Sequence, residues 1–270
     1  MYGGLPLHAD GPTPDNAGVV RKLDAIFFDI DDTLFSTTVF ADKARRAAID
    51  AMIQAGLRAD RNTCLKELEE VLVEFSSNYS SHFDKVIQRL PGSASQGLSR
   101  AILVAAGVVA YHETKSRELQ VYDDVYEILR WLAATPLVRG IISAGWTIKQ
   151  AEKVVRLRIY EFLSPNALFF TDEIGISKPN PKLYRRVLQE MGLEPSRVMY
   201  VGDNPKNDID PCNKEGLITV RSRRSGKYGE LVGTTEPNYE IRNFYELRDI
   251  LRRDFGIEAG ESRARVEPDA

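Results

Sequence analysis

Residues 25–35, AIFFDIDDTLF, run four apolar side chains straight into Asp29, Asp31 and Asp32. A short continuous apolar run is the pattern of a strand buried on both faces. Like charges this close resist joint ionisation, so the cluster needs a cation, a proton or hydrogen-bond donors beside it. Other groups of matching chemistry also follow or adjoin apolar runs: Ser143 in IISAG, Lys178 in GISKPNP, and Asp203 with Asp208 in GDNPKND. Carboxylates for a hard, oxygen-seeking cation, a hydroxyl and a positive charge together match the needs of phosphoryl chemistry. There, positioning and charge neutralisation carry most of the catalysis. A bound Mg²⁺ would keep the clustered carboxylates ionised at neutral pH and screen them from a phosphate.

These residues need a scaffold that brings strand ends together. Apolar runs at 24–29, 137–142, 167–171, 197–201 and 217–220 read as strands. From the second onward they alternate with helix-like segments at 147–158, 180–191 and 207–215, the pattern of right-handed βαβ units. The spacing predicts a doubly wound α/β core with a parallel sheet, in which ligands sit outside the carboxyl ends of the strands. The segment YDDVYEILRWLAA reads as a core helix, with Asp123 or Asp124 favouring its N-terminus. PNYEIRNFYELRDILRRDF reads as a last strand and closing helix.

Residues 36–118 differ, because their apolar positions recur at helical spacing throughout. They are expected to form a small all-α cap inserted into a core made of 21–35 and 119–255. Within it, AILVAAGVVAY at 101–111 is about half the roughly 20 residues a membrane-spanning helix needs and reads as a buried helix. The ends, 1–20 and 256–270, are expected to be disordered tails, the second being charged and poor in apolar residues.

A chain of 270 residues with 43% hydrophobic content can bury a sizeable core. The net charge of −3 gives no global attraction to nucleic acid or anionic membrane. Cys64 and Cys212 are too few for a disulfide framework and lack the spacing of a metal pair. With no basic segment followed by an apolar one at the N-terminus, the expected location is the cytoplasm. The basic run RSRRSGK, 221–227, reads as a solvated loop, since it has no interleaved aromatics.

FDIDDTL, IISAG, SKPNP and GDNPKND resemble the four ordered motifs of the haloacid dehalogenase (HAD) superfamily, in the phosphatase branch with a helical cap after the first motif. The resemblance spans roughly residues 22–225 and implies a Rossmann-like core. The cap stretches SSNYSSHFD and VVAYHETK further resemble an archaeal and bacterial group of magnesium-dependent phosphatases acting on small metabolites such as glyceraldehyde 3-phosphate. The resemblance implies roles for particular residues. Asp29 is the nucleophile that forms an aspartyl-phosphate, and Asp31 the general acid and base. Thr33, Ser143 and Lys178 bind phosphate, while Asp29, the backbone carbonyl of Asp31, Asp203 and Asp208 hold Mg²⁺. Two positions depart from common versions of the motifs: Asp32 stands where many relatives have glycine, and Ala144 where many have asparagine. Asp32 reads as a solvent-facing turn residue.

Other readings stay open at this point. DDT suits a turn and helix cap, IISAG a strand-to-helix turn, and GDNPKND is rich in turn formers. A nucleoside monophosphate phosphatase or a phosphomutase would use the same core. A dehalogenase is disfavoured, because that branch typically lacks the second aspartate of the first motif. A non-catalytic binding or regulatory protein has no need of both a nucleophile and an acid. The expected partner is a small phosphorylated metabolite, not nucleic acid or membrane, bound by a monomer or homodimer. Tyr79, His82, Tyr111, His112 and Lys115 are polar or aromatic cap residues that could line a substrate pocket, though a side chain satisfied by a neighbour is the commoner outcome, and Trp146, next to the second motif, either shapes the site or simply packs.

Overall fold

A computed structural model of the chain describes residues 21–75, 79–224 and 228–260. The strands are β1 (Ala25–Phe28), β2 (Val138–Ser143), β3 (Leu168–Phe170), β4 (Val198–Gly202), β5 (Ile218–Ser222) and β6 (Tyr239–Ile241). They form one parallel sheet in the order β3-β2-β1-β4-β5-β6. The chain builds outward from β1 in one direction through β2 and β3, then returns to the other side for β4, β5 and β6. The crevice at the carboxyl ends of β1 and β4 is therefore the topological switch point of the sheet, where ligands of open α/β folds bind.

The helices are α1 (Thr37–Gln54), α2 (Arg61–Phe75), α3 (His82–Arg89), α4 (Arg100–Glu118), α5 (Asp123–Ala133), α6 (Thr147–Arg156), α7 (Thr171–Ile174), α8 (Pro181–Met191), α9 (Asp210–Lys214) and α10 (Phe244–Phe255). Alternate residues of β1 face opposite layers, as the pleat of a strand requires. Ile26 and Phe28 pack with Val125, Ile128 and Leu129 of α5, Val154 of α6 and Leu247 and Leu251 of α10. Ala25 and Phe27 pack with Leu183, Tyr184 and Val187 of α8 and Cys212 of α9. Burial on both faces explains why the strands read as unbroken apolar runs.

Helices α1 to α4 form the helical insert between β1 and α5, and they bury Ile49, Met52, Leu68, Val71, Val86 and Leu103 in a cluster of their own. Gly107 lets α4 approach α1, because a Cβ there would stand 2.9 Å from Met52 Sδ. Cys64 and Cys212 are both buried free thiols.

Three sequence expectations are corrected, on the 101–111 stretch, the basic run and Asp32. The 101–111 stretch lies in α4 and is not buried as a whole: Leu103 and Gly107 face inward, while Ile102 and Val109 are exposed. An amphipathic helix buries one stripe only, and an apolar run does not reveal which. Arg221 and Ser222 are buried residues of β5, with Arg221 Nη2 donating to the carbonyls of Tyr228 and Leu231, so the basic run begins inside the sheet. Asp123 and Asp124 stand in the first turn of α5, where acidic charge favours a helix start as expected, and the Asp124 side chain also reaches beyond its own helix. Both its oxygens accept from Arg224, and Oδ2 also accepts from the backbone N–H of Phe244 at 2.7 Å, at the start of α10. Asp32 is buried rather than solvent-facing. Residues 1–20, 76–78, 225–227 and 261–270, and with them the expectations for the N-terminal tail, the start of SSNYSSHFD and the last ten residues, lie outside the described residues. Among those described, no helix is long and apolar enough to cross a membrane.

Candidate active site

Asp29, Ser143 and Asp203 sit where strands of the central sheet end, and Lys178 and Asp208 reach them from the loops that follow. Asp29 directly follows β1, and its backbone N–H donates to the carbonyl of Val201 in β4 at 2.9 Å, so the last rung between these strands fixes it. Ser143 closes β2, and Asp203 follows β4. Lys178 precedes α8, whose start is set by Asn180: its side chain accepts from the N–H of Lys182, and Pro181 begins the helix.

The segment after β4 is a tight turn. Asn204 Oδ1 accepts from the N–H groups of Lys206 and Asn207, both at 3.1 Å, and Asp208 Oδ2 accepts from the N–H of Asn204 at 3.0 Å. This folds Asp208 back beneath the strand end. Gly202 makes the fold possible, because a Cβ there would stand 2.6 Å from Asp208 Cγ.

Lys178 Nζ lies 2.7 Å from Asp29 Oδ1 and 2.8 Å from Asp208 Oδ1, with the Tyr200 hydroxyl at 2.7 Å. Tyr200 in turn donates to the carbonyl of Ile142 at 3.0 Å. Burial pushes its phenol far above the ordinary tyrosine range, so it stays neutral and serves as a fixed acceptor for the ammonium. Burial likewise raises the Asp29 carboxyl from 3.8 to about 7: Lys178 pulls it down, but Asp208 and Asp31 add to the rise. For Lys178, burial favours the neutral amine, yet the charges and hydrogen bonds of Asp208 and Asp29 outweigh it and hold the ammonium above the usual lysine value.

One oxygen from each of Asp29, Asp203 and Asp208 lies within 4.8 Å of the others, and all three residues are buried. Three ionised carboxylates against the single ammonium of Lys178 leave two negative charges, and every donor is oxygen. This set fits a hard divalent cation.

The Asp31 side chain is directed elsewhere. Lys153 Nζ of α6 reaches both its oxygens, at 2.7 and 2.6 Å. Thr33 Oγ1 is buried with no hydrogen-bond partner among the described residues, and Ser143 Oγ makes only a long contact of 3.4 Å to Gln150. Asp32 adopts φ 59°, the left-handed region that glycine enters freely and other residues rarely do. Here the side chain compensates by accepting from the backbone N–H of Thr37 at 2.9 Å and from its hydroxyl, tying the end of the motif to the start of α1. Ser36 caps the same helix through the N–H of Val39.

The sequence residues Asp29, Asp203, Asp208 and Lys178 are thus brought into one buried group, with Asp31 at its edge. Lys153, Tyr200 and Gln150 are additions that sequence reasoning missed. The one signal for Lys153 was its helical spacing from Lys149, and for Tyr200 a polar tip inside an otherwise apolar strand. Trp146 is 62% exposed and packs into neither sheet layer.

Comparison with known proteins agrees with this geometry. Residues 23–215 match the model of a hydrolase family described as haloacid dehalogenase-like hydrolase. A glyceraldehyde 3-phosphate phosphatase of Methanopyrus kandleri is 39% identical over 84% of this chain and 97% of its own. The protein of the same name from Methanocaldococcus jannaschii is 34% identical, over 84% and 96%. Among solved structures, a HAD-hydrolase of Bacillus subtilis bound to magnesium superposes with a TM-score of 0.61 over 86% of this chain and 99% of its own, at 16% identity. A HAD phosphatase of Thermococcus onnurineus gives 0.57 over 85% and 98%, at 23% identity. With the sheet order, the four strand-end motifs and the helical insert all in place, the chain belongs to the haloacid dehalogenase-like hydrolases.

Proposed function

We propose that this protein is a cytoplasmic, Mg²⁺-dependent phosphomonoesterase acting on a small phosphorylated metabolite of the glyceraldehyde 3-phosphate class. The observation that carries the reading is the buried group of Asp29, Asp203 and Asp208 with Lys178 at the switch point of the sheet. The substrate class follows the names of relatives that share more than a third of their residues with this chain over most of its length.

Asp29, Asp203 and Asp208 would hold the ion, with the backbone carbonyl of Asp31. When bound, Mg²⁺ supplies positive charge that keeps the carboxylates ionised and eases the approach of an anionic phosphoryl group. An oxygen of Asp29 attacks phosphorus in line as the bond to the leaving alkoxide breaks, giving an aspartyl-phosphate. Asp31 gives its proton to that alkoxide. As a carboxylate it then takes a proton from the water that attacks phosphorus, which releases phosphate and restores Asp29. The ion pair with Lys153 suits the second half of this cycle, in which Asp31 must be charged. Lys178, Ser143 and Thr33 bind the transferred oxygens, and the unpartnered hydroxyl of Thr33 has a donor to offer them. The helical insert follows the nucleophile loop directly through Asp32 and Thr37, the position of a cap that closes over substrate and excludes bulk water.

The test is phosphate release from a panel of small monoesters, with and without Mg²⁺, by wild type and Asp29→Asn. Release that needs Mg²⁺ and is abolished in the variant is expected. No release by the folded wild type on any ester, or equal release by Asp29→Asn, would overturn the mechanism.

A further inference from the structure

Among the described residues, the cap contributes one lysine near α6 that no carboxylate pairs directly. Lys115 near the end of α4 feels the charges of Lys149, Lys153 and Glu152 on α6 and, least, that of Asp31. Two of these lysines are paired. Lys153 holds Asp31, and Lys149 Nζ lies 3.5 Å from Glu152. Lys115 is half-buried and has neither a carboxylate nor a hydrogen-bond partner among the described residues. Its ammonium stands 5.9 Å from the ring centre of Phe40 on α1.

The placement is held from both sides. Ser116 accepts from Arg156 Nη1 at 2.7 Å, and Arg156 lies three residues beyond Lys153 on α6, so the face of α6 that reaches Asp31 also carries the end of α4. On the other side, Glu118 accepts from Lys43 of α1 at 3.0 Å. Burial, followed by the charge of Lys153, pulls the Lys115 amine below the ordinary lysine range, as befits an ammonium short of a counter-charge.

A half-buried ammonium without a partner is suited to an oxygen-bearing ligand, and charge-assisted hydrogen bonds are about twice as strong as neutral ones. Asp31 would mark where the alkoxide departs, and Lys153, which holds Asp31, lies one turn along α6 from the Arg156 that holds Ser116, so the end of α4 that carries Lys115 adjoins the leaving-group side of the site. We infer that Lys115 is a specificity-determining residue that donates to hydroxyl, carbonyl or carboxylate oxygens on the leaving-group carbons of the substrate. It thereby selects short oxygenated phosphate monoesters over plain alkyl ones. Phe40 beneath the ammonium supplies the apolar surface against which such a short carbon chain lies.

This inference rests on the phosphatase reading, so its test measures binding and leaves turnover to decide the other. In an Asp29→Asn background, calorimetric affinities for glycerol 3-phosphate and ethyl phosphate are compared with Lys115, Lys115→Met and Lys115→Arg. With Lys115 the oxygenated ester binds about tenfold more tightly. Lys115→Met removes that preference by weakening glycerol 3-phosphate alone, and Lys115→Arg keeps most of it. Equal affinities with Lys115 present, absence of binding by either ester, or a preference that survives Lys115→Met would each overturn the assignment. Phosphate release by the wild-type enzyme is assayed in parallel and bears on the phosphatase reading only.

Discussion

Replacing Asp29 by asparagine should make the metal-free protein more stable at alkaline pH while abolishing turnover. The folded protein holds the Asp29 carboxyl at about 7 against an ordinary 3.8, because burial outweighs the attraction of Lys178. A rise of about three in pKa, at roughly 1.4 kcal/mol each, makes on the order of 4 kcal/mol by which ionised Asp29 disfavours folding. The sign follows from proton counting. Between the two pKa values the folded state binds the proton and the unfolded state does not, so stability falls as pH rises from about 4 to about 7 and is level above. Asparagine resembles the protonated acid and escapes this loss. The assay is urea unfolding in EDTA at pH 5 and pH 8.5. At pH 5 Asp29→Asn should be more stable by roughly 1.5–2 kcal/mol, and at pH 8.5 by on the order of 4 kcal/mol. Mg²⁺ should restore wild type at pH 8.5 and help the variant much less, since the variant lacks one of three carboxylates. A gap that is the same at both pH values, or an Asp29→Asn protein less stable at pH 8.5, would refute the reasoning.

Two further outcomes follow from packing around the site. Asp124→Asn removes one charge of the buried pair with Arg224 and should destabilise by about 3 kcal/mol at pH 7, read by urea unfolding. Burial alone would raise the Asp124 carboxyl, but Arg224 and the Phe244 N–H outweigh it and hold it below the usual range. The pair's contribution is therefore present above about pH 4 and is lost as pH falls through the lowered value, so the gap between wild type and variant should narrow in acid. Gly202→Ala sets a Cβ 2.6 Å from Asp208 Cγ, so Asp208 must move and release Lys178. That should cost about 1–3 kcal/mol and at least tenfold in kcat with the far-UV circular dichroism unchanged. Retention of full activity would show that Asp208 need not hold its place.

The sequence by itself carried the strands, the helical insert and the four motifs, because these depend on local pattern. An unbroken apolar run marks a strand between two helical layers, and β1, β2 and β4 fall within a residue or so of the runs that announce them. Asp29, Ser143 and Asp203 were legible for the same reason, since each is read from the end of such a run.

The tertiary structure decided how the charges are shared. Lys178 pairs with Asp29 and Asp208 from 149 and 30 residues away, and Lys153 reaches Asp31 across 122. Periodicity states which face of an element is buried but not which distant charge it meets there, and that depends on sheet order and on how each helix packs. The same holds for Asp32, which reads as one more acid in a cluster and serves as the left-handed link to α1. Asp124 reads as a helix-start residue, yet its side chain clamps Arg224 and α10. Lys115 gives no sign in the sequence of being unpaired, because a charge lacks a counter-charge only with respect to everything the fold has placed around it.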